Sequence, residues 1–293
     1  MSEVQEQEKQ VGTNQSPAQA EASDRWVESR VPAMVSILEM QASVNTAFNP
    51  NWREDAKAHR QVNFLSAIFD EVCETFRSHE DFKFWAPRWT AEESAANRAN
   101  VSVELVDILH FAASEELVLN PETPNQELAK KILQKAFFAY EDLNRFPFMY
   151  HFGQYTSQIA KSISTANLYA ETMKSTSADS TVIGLGWFHF FGMCREIDMS
   201  FEVLVGRYFA KATLNKFRKA NNYKNGTWSP GEKFDGSKYI KNWADGREDN
   251  AHLMDFLDFY VKENGEAPSI TSIQQFLELS YEEVKASVQR AYN

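Results

Sequence analysis

The chain has 293 residues, 43% of them hydrophobic and 13% aromatic, with a net charge of −11 and a pI near 5.1. That length holds one large domain or two small ones around a real core; the acidity argues against a nucleic-acid partner, and no run approaches the ~20 apolar residues of a membrane span. Cys73 and Cys194 stand far apart and form no C-x-x-C, so neither a disulfide framework nor a cysteine zinc site is expected, and a reducing cytoplasm is the default location.

Glycine (11) and proline (9) are sparse, which favours helices over a turn-rich β fold. Residues 1–25 are polar and aperiodic and read as a disordered tail without the basic-then-apolar pattern of a leader. From Trp26 the chain turns helical, with Val31, Met34, Val35 and Leu38 at helical spacing, until Asn49-Pro50-Asn51 breaks it. Gln61 to Arg77 predicts a second apolar helix, followed by a loop carrying Trp85, Pro87 and Trp89. A third helix covers Asn100 to about Leu119 and ends at the loop Asn120-Pro121-Glu122-Thr123-Pro124. Helical patterning resumes at Glu127. The aromatic-rich stretch 144–198 predicts one or two more helices, broken near residues 175–180; 120–192 as a whole reads as a smaller helical insertion or mobile part of one catalytic domain, 26–293. Ser200 is placed to cap a helix whose stripe is Phe201, Leu204, Val205, Tyr208, Phe209 and Ala212. A loop follows Asn221, two short helices are expected in 269–293, and no strand pair is evident. The fold class is therefore all-α, a multi-helix bundle.

Two acidic pairs interrupt apolar runs. Glu71 and Glu74 stand in "AIFDEVCETF", Glu104 and Asp107 in "VELVDILHF". Residues three apart lie on one side of a helix, so both carboxylates of each pair point the same way. The loop between the helices is long enough for antiparallel packing, which would bring four carboxylates together. Acidic pairs on helices are usually solvated faces; these differ because their flanks are apolar. A buried, unpaired carboxylate costs several kcal/mol, and four together take up protons unless a cation neutralises them. Mg²⁺ suits an all-oxygen set that leaves room for water and phosphate. A rival reading takes Asp107/His110 and Asp249/His252 as D-x-x-H pairs of a di-iron bundle, but neither is the E-x-x-H such bundles use. His110 alone reads as a core histidine rather than a ligand.

Between Arg207 and Asn250 stand ten Lys/Arg and five Asp/Glu, a local +5 in a chain of −11. Lys211, Asn215 and Arg218 are spaced i, i+4, i+7 and share one helix face. Such a face is ordinarily solvated. Beside a metal centre it has a further use, since a polyphosphate needs cations on the side away from the metal.

In order and spacing these residues resemble the dimeric, all-α dUTP diphosphatases of the all-α NTP pyrophosphatase group, whose pattern is Q-x-x-x-N, E-x-x-E, E-x-x-D-x-x-H-F, then K-x-x-x-N-x-x-R and E-D-N. The chain supplies Gln41 and Asn45; Glu71 and Glu74; Glu104, Asp107, His110 and Phe111; Lys211, Asn215 and Arg218; Tyr223 and Lys224; and "REDN" at 247–250. "FKFW" at 82–85 resembles the family's Trp/Lys-rich turn. Ala42 stands where the family often has an acidic residue, and 227–238 looks inserted.

The resemblance implies hydrolysis of dUTP, and of dUDP, to dUMP, with pyrophosphate released from dUTP. It implies two or more Mg²⁺ on Glu71, Glu74, Glu104 and Asp107, with Glu74 and Glu71 orienting and deprotonating water. It implies phosphate contacts from Lys83, Lys211, Arg218, Tyr223, Lys224, Lys241 and Asn250, and base or sugar contacts from Gln41, Asn45, Trp85, His110 and Asn215. It also implies a homodimer. The alternatives are a dCTP or mixed dCTP/dUTP pyrophosphatase of the same family and, in another class, a non-enzymatic helical interaction protein.

Overall fold

The structure is a computed structural model, and it describes residues 17–58, 64–79, 91–141, 146–172, 186–243 and 245–292. Among these the helices are α1 (Pro17–Phe48), α2 (Trp52–Ala58), α3 (Phe64–His79), α4 (Ala91–Leu119), α5 (Asn125–Glu141), α6 (Phe148–Thr172), α7 (Trp187–Glu196), α8 (Phe201–Ala220), α9 (Asp249–Asn264) and α10 (Ile270–Tyr292).

α4 is the axis of the bundle. Val101, Leu105, Val106, Ile108, Leu109, Ala112 and Ala113 are buried around most of its circumference, as a helix enclosed on nearly all sides requires. α3 lies along it, presenting Leu65, Ile68 and Val72. α1 packs on α4, α5 and α8, and α7 on α5 and α6. One hydrophobic cluster runs from Val27 to Ala212 and takes in Leu128, Leu133, Phe152, Ile159, Phe190 and Phe191. The helices of 120–192 thus share the main core and are not set apart from it.

Several boundaries differ from the sequence expectation. α1 begins inside the expected polar tail, at Pro17, because proline suits a first helical position and Ser23 and Val27 are already buried. α9 is a full helix in a stretch to which the sequence reading assigned no element. The C-terminal segment forms one helix instead of two; it contains no Gly or Pro after Ile270, and Ile273, Leu277, Tyr281, Val284 and Val288 stay buried along its length. A two-stranded parallel sheet pairs Thr227 with Tyr239 and Trp228 with Ile240; strands of two residues carry no readable alternation.

The expected break after Phe48 and the Ser200 cap are both present, Ser200 Oγ accepting from the Val203 N–H at 3.3 Å. α8 joins the main bundle to the C-terminal layer. Its Ala210 and Leu214 meet Leu253, Leu257, Ile273 and Leu277, and its Phe217 meets Tyr239 and Tyr281.

Candidate active site

The packing of α3 on α4 brings Glu71, Glu74 and Glu104 together: one carboxylate oxygen of each lies within 4.8 Å of the others. Glu74 is exposed, Glu71 and Glu104 half-buried. Burial, followed by repulsion from Asp107, Glu104 and Glu74, pushes the Glu71 carboxyl up to about 8; Lys211 opposes the rise. Burial, followed by repulsion from Asp107 and Glu74, pushes Glu104 up to about 7. Among the described residues, the acidity of the cluster exceeds the opposing charge of Lys211.

Asp107 stands beside this triplet with a different partner. Its Oδ2 accepts from Lys211 Nζ at 2.7 Å, and Lys211 is only 4% exposed. A buried ammonium requires a counter-charge, and Lys211, expected at the phosphate, has Asp107 as that partner. Arg218 is paired likewise: Nε donates to Asp249 Oδ2 at 2.8 Å and Nη2 to Oδ1 at 2.5 Å, with Asp249 fully buried. Tyr239 donates a third bond to Asp249 at 2.9 Å, and the guanidinium carbon lies 5.2 Å from the Tyr223 ring centroid. Lys241 pairs with Glu248 at 2.7 Å. Asn215 is half-buried on the Lys211 face, Lys224 is exposed, and Asn250 holds its side-chain oxygen buried without a partner among the described residues. Lys83 and Trp85 lie outside the described residues.

A second polar group lies one turn along α4. Gln41, 3% exposed, donates from Nε2 to Asn45 Oδ1 at 2.8 Å. Asn45 Nδ2 donates to Ser114 Oγ at 2.9 Å, and Ser114 donates to the His110 carbonyl at 2.8 Å. Gln41 Oε1 faces His110 Nδ1 at 2.6 Å and the Tyr208 hydroxyl at 2.9 Å. Burial holds the imidazole down to about 4, so it is neutral at physiological pH. His110 therefore stands in a hydrogen-bonded network. The D-x-x-H pairs of the di-iron reading do not assemble: Asp249 is taken by Arg218, and His252 stacks on Trp243 and bonds Asp245.

The family model described as dUTPase matches residues 33–223. The chain belongs to the all-α dUTPase family. It is a dUTP diphosphatase by that membership, and the reading as a non-enzymatic interaction protein falls. A search of curated proteins finds no match. The dUTPase match covers Gln41, Asn45, both acidic pairs, Lys211, Asn215, Arg218 and Tyr223; Lys224, Lys241 and Asn250 lie beyond it.

Three residues whose roles the sequence did not reveal belong to this arrangement. Tyr208 reads there as part of an apolar stripe, yet its hydroxyl meets Gln41. Ser114, four residues after His110, carries the i, i+4 signal of a hydroxyl bonded back to its helix. Glu248 belongs to the E-D-N motif, but its part here, raising Glu104 and holding Lys241, is not announced by that motif.

Proposed function

We propose that the protein hydrolyses dUTP, and dUDP, in a Mg²⁺-dependent reaction that yields dUMP, releasing pyrophosphate from dUTP. The observation that carries this reading is the convergence of Glu71, Glu74 and Glu104, with two of the three carboxyls held far above the ordinary carboxylate range. An oxygen-only set of like charges fits a hard divalent cation, and Glu71, Glu74, Glu104 and Asp107 would hold two or more Mg²⁺. Bound there, the ions supply Lewis-acid stabilisation of phosphate oxygens and a more acidic water.

The chain's own residues do the rest. Glu74, the exposed member of the cluster, orients the attacking water and takes its proton in this reading, assisted by Glu71. Lys211, paired with Asp107, contributes its charge to the phosphate side of the site in this reading. Lys224, Lys241 and Tyr223, with Lys83, supply the outer phosphate contacts, and Arg218 orients Tyr223 from its place on Asp249. Asn250 and Asn215 offer amides to sugar or phosphate. Gln41, Asn45 and His110, with Trp85, form the base-reading side. A homodimer and a cytoplasmic location belong to the same reading; among the described residues no helix is long and apolar enough to cross a membrane.

The test is a screen of all deoxynucleoside triphosphates, and dUDP, against wild type and Glu74→Gln with and without Mg²⁺. Wild type hydrolyses dUTP only with the metal, and the substitution lowers kcat by at least about a hundredfold. Equal turnover by both proteins, or metal-independent turnover, overturns the reading.

A further inference from the structure

The hydrogen bonds around Gln41 have a direction that the amide groups alone would not fix. A side-chain amide offers a donor at one end and an acceptor at the other, and rotating it by half a turn exchanges them. Uracil and cytosine differ in the same sense: where one presents N3–H and a C4 carbonyl, the other presents a bare N3 and an amino group. An amide free to turn serves both bases, and an amide held one way serves one.

In this chain the direction is set from a backbone group. The His110 carbonyl can only accept. Ser114 Oγ lies 2.8 Å from it and has a single proton to give. With that proton spent, Ser114 must accept from Asn45, so the Asn45 NH₂ faces Ser114 at 2.9 Å and its Oδ1 faces Gln41. Gln41 must then donate toward Asn45, which turns its Oε1 toward His110 Nδ1 and Tyr208. His110 Nδ1 must carry the ring proton, leaving Nε2 a bare acceptor, and that nitrogen is buried with no partner among the described residues. Reversing the amides would set Asn45 Oδ1 against Ser114 Oγ, leaving two acceptors to share one proton. Tyr208 does not choose between the states, because its proton reaches either Gln41 Oε1 or the Ile37 carbonyl at 3.1 Å. Among the described residues, Ser114 is what breaks the symmetry.

We propose that Ser114 is a specificity-positioning residue: its hydroxyl, committed to the His110 carbonyl, fixes the donor and acceptor faces of Asn45 and Gln41, so that the site takes uracil and refuses cytosine. The inference rests on the dUTP reading above and goes beyond it by naming the group that makes the choice. One unmet buried hydrogen bond tilts the two amide states by about tenfold or more. Ser114 itself is fully buried and acts only through Asn45.

The experiment compares kcat/KM for dUTP and dCTP in wild type and Ser114→Ala, a change that keeps helix propensity and removes one oxygen. Wild type prefers dUTP by roughly a hundredfold or more, and Ser114→Ala narrows that ratio by about tenfold, chiefly through gain on dCTP. A general loss of packing would lower both activities and leave the ratio where it was; an unchanged ratio overturns the proposal while dUTP hydrolysis stands. A second measurement needs no variant: ¹⁵N-resolved NMR of the ligand-free protein shows His110 protonated at Nδ1, and a ring protonated at Nε2 overturns the relay. Hydrolysis of neither nucleotide by wild type overturns the dUTP reading and this inference together.

Discussion

Asp249 and Glu71 are both carboxylates drawn away from water, and the protein treats them in opposite ways. Asp249 receives two guanidinium bonds and a tyrosine hydroxyl. Glu71 receives the repulsion of three other acidic groups, and its carboxyl rises to about 8. The first charge is answered within the fold and holds it together. The second meets mainly like charge among the described residues, with only Lys211 opposing it, the arrangement for which a divalent cation is proposed above. Burial of a charge is thus no guide to its purpose; the sign of its neighbours is.

The contrast breaks most readily at Asp249. Asp249→Ala leaves Arg218 buried with no counter-charge, and we expect a loss of about 3–5 kcal/mol in chemical denaturation. A loss within the range of an ordinary surface substitution would remove the claim that this pair is structural. Glu71→Gln should act with the opposite sign. Without metal at pH 8 it relieves repulsion and stabilises the protein by about 1 kcal/mol, while activity with Mg²⁺ falls.

Titration sharpens the same contrast. Glu71 and Glu104 bind protons more tightly folded than unfolded, so their contribution is fully present near pH 4.5 and is lost as pH rises through about 7 and 8. The metal-free melting temperature should therefore fall by a few degrees between pH 6 and pH 8.5. Saturating Mg²⁺ should recover it, with an effect that grows with pH as protons cease to compete. The smallest effect is expected at Lys285→Ala, which breaks the exposed i, i+3 pair with Glu282 and should leave the melting temperature within about a degree.

The helices and the two acidic pairs were legible because each depends on spacing within one element. Glu71/Glu74 and Glu104/Asp107 could be read as candidates from three-residue intervals among apolar neighbours. The commitments of Lys211 and Arg218 could not be read that way. Their spacing announces a basic face, but their partners lie on other helices, at Asp107 and Asp249. The single span of α10 was missed for a related reason: Leu279 is 71% exposed while Leu277 and Tyr281 are buried, and a polar-looking stretch obscured a buried stripe that continues to Val288. Proline at position 17 marked the start of α1, yet the surrounding composition outweighed it.

The stretch recognisable as dUTPase stops at residue 223, and α8 ends just inside that border. Arg218 falls on one side of it and Asp249 on the other, while Ala210 and Leu214 are sealed by leucines and an isoleucine from α9 and α10. The evolutionary unit and the folding unit therefore have different edges. An excised 33–223 fragment would keep most of the recognisable motif residues and strand a guanidinium and an apolar helix face in water, so the segment beyond the border is part of what lets the recognisable part exist.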